Sequence, residues 1–185
     1  SIDNTAVGDY ALHSNTAAGN TGIGSSALLT NSSGANNTAV GMDALAANTT
    51  SSNNTAVGKD ALLANTTGTA GTAVGKGSLA SNTTGTDNTG LGALALNATT
   101  TGGLNVAVGR SALQSNTTGA NMTAVGYNAG LSHTTGNSST FIGTDSGKLT
   151  TTGVGNTFVG DGSGRQNTTG ASNVAVGQSA LLANT

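Results

Sequence analysis

The pentapeptide Asn54-Thr55-Ala56-Val57-Gly58 recurs along the whole chain at a nearly constant interval. After one step of 16 residues, its final glycine returns at nine successive steps of 17 residues. The recurring glycines are Gly8, Gly24, Gly41, Gly58, Gly75, Gly92, Gly109, Gly126, Gly143, Gly160 and Gly177. A fixed period of this kind is typical of a solenoid, in which each repeat forms one coil. We number each repeat from this glycine, position 1, to the residue before the next one, position 17.

Two columns of the pentapeptide predict one face of a β-strand. Position 17 is always aliphatic and position 15 is always β-branched, and side chains two apart in a strand share a face. We predict that both columns point into the coil, together with position 4, which is always Ala or Ser. The predicted core residues are Val40, Val57, Val74, Val108, Val125, Thr38, Thr55, Ala44 and Ala61.

The rest of the repeat predicts a β-solenoid. Glycine followed by polar residues is typical of a turn, so we expect a second short strand near position 4. Helix-pair repeats need about 33 to 47 residues, more than this period offers. The predicted fold is all-β: a parallel β-solenoid, or β-roll, of about eleven turns with coils about 4.8 Å apart. We expect residues 1–185 to form a single array, uncapped at both ends, within a longer chain or filament.

Composition excludes several classes of protein. The net charge is only −2, charged residues make up 6% of the chain, and cysteine is absent. There is therefore no disulfide framework, no electrostatic case for nucleic acid, and no apolar run long enough for membrane insertion. The 30 glycines would also suit a disordered chain. The fixed phase of the apolar residues argues against disorder.

A compensating exchange links positions 5 and 16. Position 5 is Leu in seven successive repeats and then becomes Gly130, Gly147 and Gly164, while position 16 becomes Phe141 and Phe158 over the same stretch. We predict that these columns touch and conserve volume. Because position 16 points away from positions 15 and 17, this layer would lie outside the coil, against another chain. The predicted interchain contacts are Leu45, Leu62, Leu79, Leu113, Phe141 and Phe158.

No catalytic or metal-binding constellation can be read from the repeats. The two histidines, His13 and His133, lie seven turns apart at different positions, so we predict no enzyme activity and no cofactor. Asp43 and Asp60 share position 3 on adjacent turns and could approach a hard cation. Lysines at the neighbouring position offset that charge, so we interpret both as solvated turn residues.

Polar columns predict stacked ladders. Asn at position 14 would form an amide ladder along the axis. Asn48, Asn65, Asn82, Asn116 and Asn167 each begin an Asn-Thr-Thr sequon, and we interpret them as turn residues unless the chain enters a glycosylating pathway. The Thr-Thr pairs at positions 9 and 10 resemble the threonine ranks of ice-binding β-solenoids.

Two of the pentapeptides closely resemble the head repeat of trimeric autotransporter adhesins and the related repeats of phage and bacterial tail-fibre-like proteins. They are Asn105-Val106-Ala107-Val108-Gly109 and Asn173-Val174-Ala175-Val176-Gly177. The resemblance covers all eleven turns. It implies a left-handed parallel β-roll, packing of three rolls about a threefold axis, and a surface that binds host matrix or cell components.

These observations predict a non-enzymatic structural or adhesive fibre protein, extracellular, at a cell surface or in a virion fibre. Its partners would be further copies of itself, a trimer being favoured, and a host surface protein or carbohydrate. The residues expected to be presented for binding are Tyr10, Lys59, Asp60, Lys76, Arg110 and Tyr127. Two alternatives stay open: a filament subunit that stacks end to end, and an ice-binding protein that uses its Thr ranks.

Overall fold

The computed structural model describes residues 2–184 and consists of one parallel β-solenoid. Eleven strands of three residues each form a single sheet whose order follows the chain, and the described residues contain no helix. The strands are β1 Thr5–Val7, β2 Thr21–Ile23, β3 Thr38–Val40, β4 Thr55–Val57, β5 Thr72–Val74, β6 Thr89–Leu91, β7 Val106–Val108, β8 Thr123–Val125, β9 Thr140–Ile142, β10 Thr157–Val159 and β11 Val174–Val176. The predicted fold class is confirmed.

The coils stack in register along the axis. Equivalent positions of adjacent strands pair directly, as Ala39 does with Ala56 and Val40 with Val57. Ten such steps at about 4.8 Å give an array about 48 Å long. Each coil is therefore a copy of the one below it, and each column of the sequence becomes a row of side chains parallel to the axis.

The side of each strand that points into the coil is the opposite of the side that we predict. Ala56, the middle residue of β4, is fully buried, whereas Val57 is 36% exposed. The predicted core placement is therefore wrong for the residues at positions 15 and 17, which lie partly exposed on the outer side of the sheet: Val40, Val57, Val74, Val108, Val125, Thr38 and Thr55. Ala44 and Ala61 are buried, as predicted.

The leucine and phenylalanine columns form the core of the single chain. Leu45, Leu62, Leu79, Leu113, Phe141 and Phe158 are all fully buried, so their assignment as interchain contacts is wrong. The predicted contact between positions 5 and 16 is nevertheless confirmed, because a Cβ added at Gly130 would stand 2.6 Å from Phe141 Cδ2. The narrow coil takes one large side chain at position 5 and only a small one opposite it, and the two exchange roles in the later repeats.

The expected second strand is absent from the described coils. Its place is taken by a turn in which Asp60 and Leu62 have positive φ angles of 60° and 49°, a conformation incompatible with a strand. The turn still stacks on its neighbour, because the Leu62 amide donates to the Ser78 carbonyl at 3.0 Å and the Ala64 amide to the Ala80 carbonyl at 3.0 Å. Backbone hydrogen bonds thus join adjacent coils on more than one side.

Close stacking explains why position 1 is always glycine. Gly58 has a φ of 130°, and a Cβ there would lie 2.7 Å from the carbonyl carbon of Gly75 in the next coil. Any larger residue would be strained and would also push the coils apart. The recurring glycine is therefore required by both the bend after the strand and the distance between coils.

Two asparagine ladders fill the polar part of the interior. At position 14, Asn54 Nδ2 donates to Asn37 Oδ1 at 3.2 Å and to the Gly68 carbonyl at 3.1 Å, which confirms the predicted ladder. At position 8, Asn65 Nδ2 donates to Asn48 Oδ1 at 3.1 Å. The sequon residues all lie at this position and are all buried: Asn48, Asn65, Asn82, Asn116 and Asn167. They are turn residues, as predicted, since each amide closes a turn, as Asn65 does by donating to the Leu62 carbonyl at 3.2 Å. Their burial hides them from glycosylation in the folded chain.

Candidate functional site: the outer face of the sheet

The outer side of the sheet carries two parallel rows of side chains, which we call the Thr/aliphatic face. Position 17 supplies an aliphatic row, in which Ile23 is 38% exposed, Leu91 37% and Ile142 39%. Position 15 supplies the other row, which is Thr in nine of eleven coils and Val at Val106 and Val174. Neither row contains a charged residue. The face thus presents hydroxyl and methyl groups in a pattern that repeats with every coil.

The hydroxyl groups of this threonine row make no hydrogen bond within the described chain. The backbone amide of Thr55, by contrast, donates to the Gly71 carbonyl at 2.8 Å, so the main chain below each side chain is fixed. The nine threonines are Thr5, Thr21, Thr38, Thr55, Thr72, Thr89, Thr123, Thr140 and Thr157. Their hydroxyl groups are available to solvent or to a ligand.

The threonine row at position 9 behaves differently. The Thr66 hydroxyl donates to the Thr83 carbonyl at 3.1 Å, and the Thr83 hydroxyl donates to the Thr100 carbonyl at 3.0 Å. The donor of each of these hydroxyls is therefore engaged by the neighbouring coil. Of the Thr-Thr pairs expected to form an ice-binding surface, only the position 10 member, such as Thr67, is exposed with an unengaged hydroxyl.

The predicted binding residues lie on the turn beside the aliphatic row. Lys59, Lys76, Arg110 and Tyr127 occupy position 2 and are exposed, whereas Tyr10 and Asp60 occupy position 3. Tyr10 is exposed, and Asp60 is half-buried with its carboxylate 3.6 Å from the Lys59 ammonium. An ion pair this accessible adds little stability. The structure brings Lys59 and Asp60 together but does not gather the six residues into one pocket.

One pair on this turn has a defined geometry. The Arg110 guanidinium carbon lies 5.9 Å from the centroid of the Tyr127 ring, within the range of a cation–π contact. Both residues occupy position 2 of successive coils, so their proximity follows from the repeat itself. It is the one cation–π contact among the residues that the structure describes.

A charge cluster that sequence reasoning missed surrounds Asp145. Its carboxylate lies 3.2 Å from Lys148 Nζ and 3.4 Å from Arg165 Nη2, and it accepts a hydrogen bond of 3.1 Å from Asn128 Nδ2. Burial disfavours the charged carboxylate, but the Asn128 hydrogen bond and the two cations outweigh burial and hold the pKa of Asp145 below its usual value. The repeat could have predicted the contact between Asn128 and Asp145, because both occupy position 3 of adjacent coils.

His133 is buried in the interior and does not form part of any surface site. It interrupts the position 8 ladder, and its Nδ1 atom has no hydrogen-bond partner. Burial lowers the pKa of His133, although the carbonyl of Gly153, 3.4 Å from Nε2, partly opposes that effect. Burial thus favours the neutral imidazole, in a core that also contains Phe141, whose ring centroid is 5.8 Å away.

Residues 2–184 contain no cavity or cleft for a small molecule, and no three metal-ligating side chains among them come together. Within the same range no helix is long and apolar enough to cross a membrane. The extended Thr/aliphatic face and the position 2 turn are therefore the candidate surfaces. Both are suited to an extended partner rather than an enclosed ligand.

Comparison of the chain with protein families, with curated proteins and with solved structures found no match. The likeness to adhesin head repeats consequently depends on the pentapeptide and the Ala or Ser at position 4.

Proposed function

We propose that this chain is a rigid segment of a non-enzymatic extracellular attachment fibre. The observation that supports the proposal best is the unbroken stacking of eleven coils without a cleft among the described residues. The chain serves as a spacer that holds surface residues at fixed intervals. Attachment to a host protein or carbohydrate is the function to which such a surface is suited.

Rigidity follows from how the coils are joined. The same two adjacent coils are joined by the pairing of β3 with β4, by turn-to-turn hydrogen bonds such as Leu45 to Ala61, and by both asparagine ladders. Bending the array would break several of these bonds at once, each contributing about 0.5 to 1.5 kcal/mol. A segment of this kind transmits position and force along its axis with little internal motion.

The position 2 turn is the part that varies from coil to coil, and we assign the attachment role to it. Its most structured element is the Arg110–Tyr127 pair, which combines a cation with an aromatic face. Aromatic and arginine side chains are enriched in the energetically dominant parts of protein interfaces. Lys59 and Lys76 extend the same row towards the start of the array.

Self-association in a trimer remains a prediction, but the side chains predicted to form the contacts between chains do not support it. The leucine and phenylalanine side chains that were expected to join chains are enclosed in the core of one chain. Sedimentation of the purified chain at micromolar concentration measures the oligomeric state directly. We do not assign a trimer contact to any of these six side chains.

Binding of fluorescent beads coated with the chain to a panel of immobilised matrix proteins and glycans tests the attachment proposal. We expect retention on at least one surface, and a marked loss with the double variant Arg110→Ala/Tyr127→Ala. Gln178→Ala, which alters another exposed position 2 residue, is the matched control and should keep full binding. The proposal fails if wild-type beads are not retained anywhere, or if both variants bind equally well.

A further inference from the structure

We propose that the Thr/aliphatic face binds the surface of an ice crystal. This inference goes beyond the attachment role, because it concerns the outer face of the sheet rather than the position 2 turn. It also differs from the expectation drawn from the Thr-Thr pairs of the loop, since the threonines now proposed lie at position 15. The occupant is the ordered water lattice of ice, and three properties of the face suit it to that lattice.

The first property is unsatisfied hydrogen-bonding capacity. Nine hydroxyl groups at position 15 make no bond within the described chain. A dry protein partner would have to supply a matching donor or acceptor for each one, because burying an unpaired hydroxyl is unfavourable. An ice surface offers both donors and acceptors at every lattice point. The hydroxyl row is therefore better suited to water than to a second apolar sheet.

The second property is the repeat along the axis. Parallel pairing in register, as between Thr55 and Thr72, places equivalent side chains about 4.8 Å apart. This distance is close to a repeat between water oxygens in the ice lattice. Because the spacing is set by backbone hydrogen bonds, it is kept over many coils, and several hydroxyls can meet the same crystal plane together.

The third property is that the face is both rigid and uncharged. Thr and Val are β-branched, and their χ1 angles are restricted, so little side-chain entropy is lost when they meet a fixed lattice. The aliphatic row beside the hydroxyls, including Val57 and Val74, exposes methyl groups that order water without binding it. A charged residue would keep its own disordered hydration shell, and neither row contains one.

An independent comparison within the chain favours position 15 over the loop. The position 9 hydroxyls donate to the next coil, as Thr66 does to Thr83 at 3.1 Å, so they offer no free donor. The exposed position 10 row lies on a glycine-containing turn instead of a strand. Among residues 2–184, only the Thr/aliphatic face combines paired strands, free hydroxyls and an adjoining methyl row.

Thermal hysteresis and ice-crystal shaping of the purified chain test the proposal. We expect the wild type to shape ice and to lower the freezing point below the melting point. Thr72→Lys, placed near the middle of the face, should lose most of this hysteresis. Thr84→Lys, which puts the same charge on the exposed position 10 row, is the matched control and should retain it. Circular dichroism establishes that all three proteins are folded.

Three results would overturn the proposal. The first is a folded wild type without hysteresis or ice shaping, and the second is an equal loss of activity in both variants. The third is a stable oligomer in sedimentation that Thr72→Lys dissociates, because the face would then be covered by a second copy of the chain. None of these results depends on Arg110 or Tyr127, so the attachment proposal is tested separately.

Discussion

The ring of Phe141 occupies the space that a side chain at residue 147 would need. A Cβ added at Gly147 would stand 2.5 Å from Phe141 Cδ1, and Gly147 has a φ of 57°. Phe141→Ala should cost about 3 to 5 kcal/mol of unfolding free energy, because it empties part of the core. Gly147→Leu should also destabilise the chain, because the leucine cannot enter while the ring is present.

The double variant Phe141→Ala/Gly147→Leu removes the ring from the space that the new leucine needs. We expect it to be less destabilised than the sum of the two single variants, as measured by urea denaturation. Ile142→Ala, at the neighbouring outward position, combined with Gly147→Leu is the control and should be additive. Additive free energies for the Phe141 pair would contradict the proposed exchange of volume.

Leu62 combines full burial with a strained backbone. Its φ of 49° costs about 1 to 2 kcal/mol for a residue with a side chain. Leu62→Ala should destabilise the chain by about 2 to 5 kcal/mol through the cavity it leaves. Leu62→Gly removes one carbon more but also relieves the strain, so we expect it to be no less stable than Leu62→Ala in thermal unfolding.

Ala61 provides the comparison for that prediction. It is buried beside Leu62 but has no positive φ angle. Ala61→Gly should therefore show the ordinary loss of roughly 0.5 to 1 kcal/mol. If Leu62→Gly proved clearly less stable than Leu62→Ala, strain at position 5 would not be a feature of the folded chain in solution.

The sequence was sufficient to predict the period, the strand and the parallel stacking, but not the side of the strand that faces inwards. Because side chains alternate in direction along a strand, Thr55 and Val57 must share one face and Ala56 must lie on the other. This alternation does not show which face is buried, and the usual preference of valine for the interior favoured the wrong one. The deciding factor is the cross-section of the coil, which is filled by Leu62.

The position of Leu62 depends on a turn that leaves little trace in the sequence. Asp60 and Leu62 both adopt positive φ, and leucine gives no indication of this conformation, which usually favours glycine. The replacement of leucine by Gly147 is the only indication of this conformation in the column. The sequence prediction treats it as a change of size, although glycine at that position also suits the backbone. The Thr/aliphatic face does not follow from the sequence either, because positions 15 and 17 are predicted to point into the core.

Asn54 belongs to the position 14 ladder and makes hydrogen bonds to four residues, Asn37, Ser51, Gly68 and Gly71. It donates to Asn37 Oδ1, and its own Oδ1 accepts the Gly71 amide at 2.8 Å. Asn54→Ala would leave that buried amide without a partner, at a cost of about 1 to 3 kcal/mol. We expect a matching fall in the midpoint of urea unfolding, whereas the exposed substitution Thr67→Ala should leave the midpoint nearly unchanged.

His133 makes the stability of the array depend on pH in one direction. In the unfolded chain its pKa should be about 6.5, and burial lowers the pKa in the folded chain despite the Gly153 carbonyl. At a pH above both pKa values, His133 is neutral in the folded and the unfolded chain, so it does not make stability depend on pH. As the pH falls below about 6.5, the unfolded chain takes up the proton first, so folding stability decreases until the folded pKa is passed.

His133→Asn separates this effect from other titrations. Asparagine is the usual residue at position 8, and it would offer a donor to Asn116 Oδ1, which has no hydrogen-bond partner in the described chain. We expect the variant to lose the part of the decrease in melting temperature between pH 7.5 and 5.5 that His133 causes, and to be at least as stable as the wild type at pH 7.5. An unchanged slope in the variant would mean that other groups govern stability over this range.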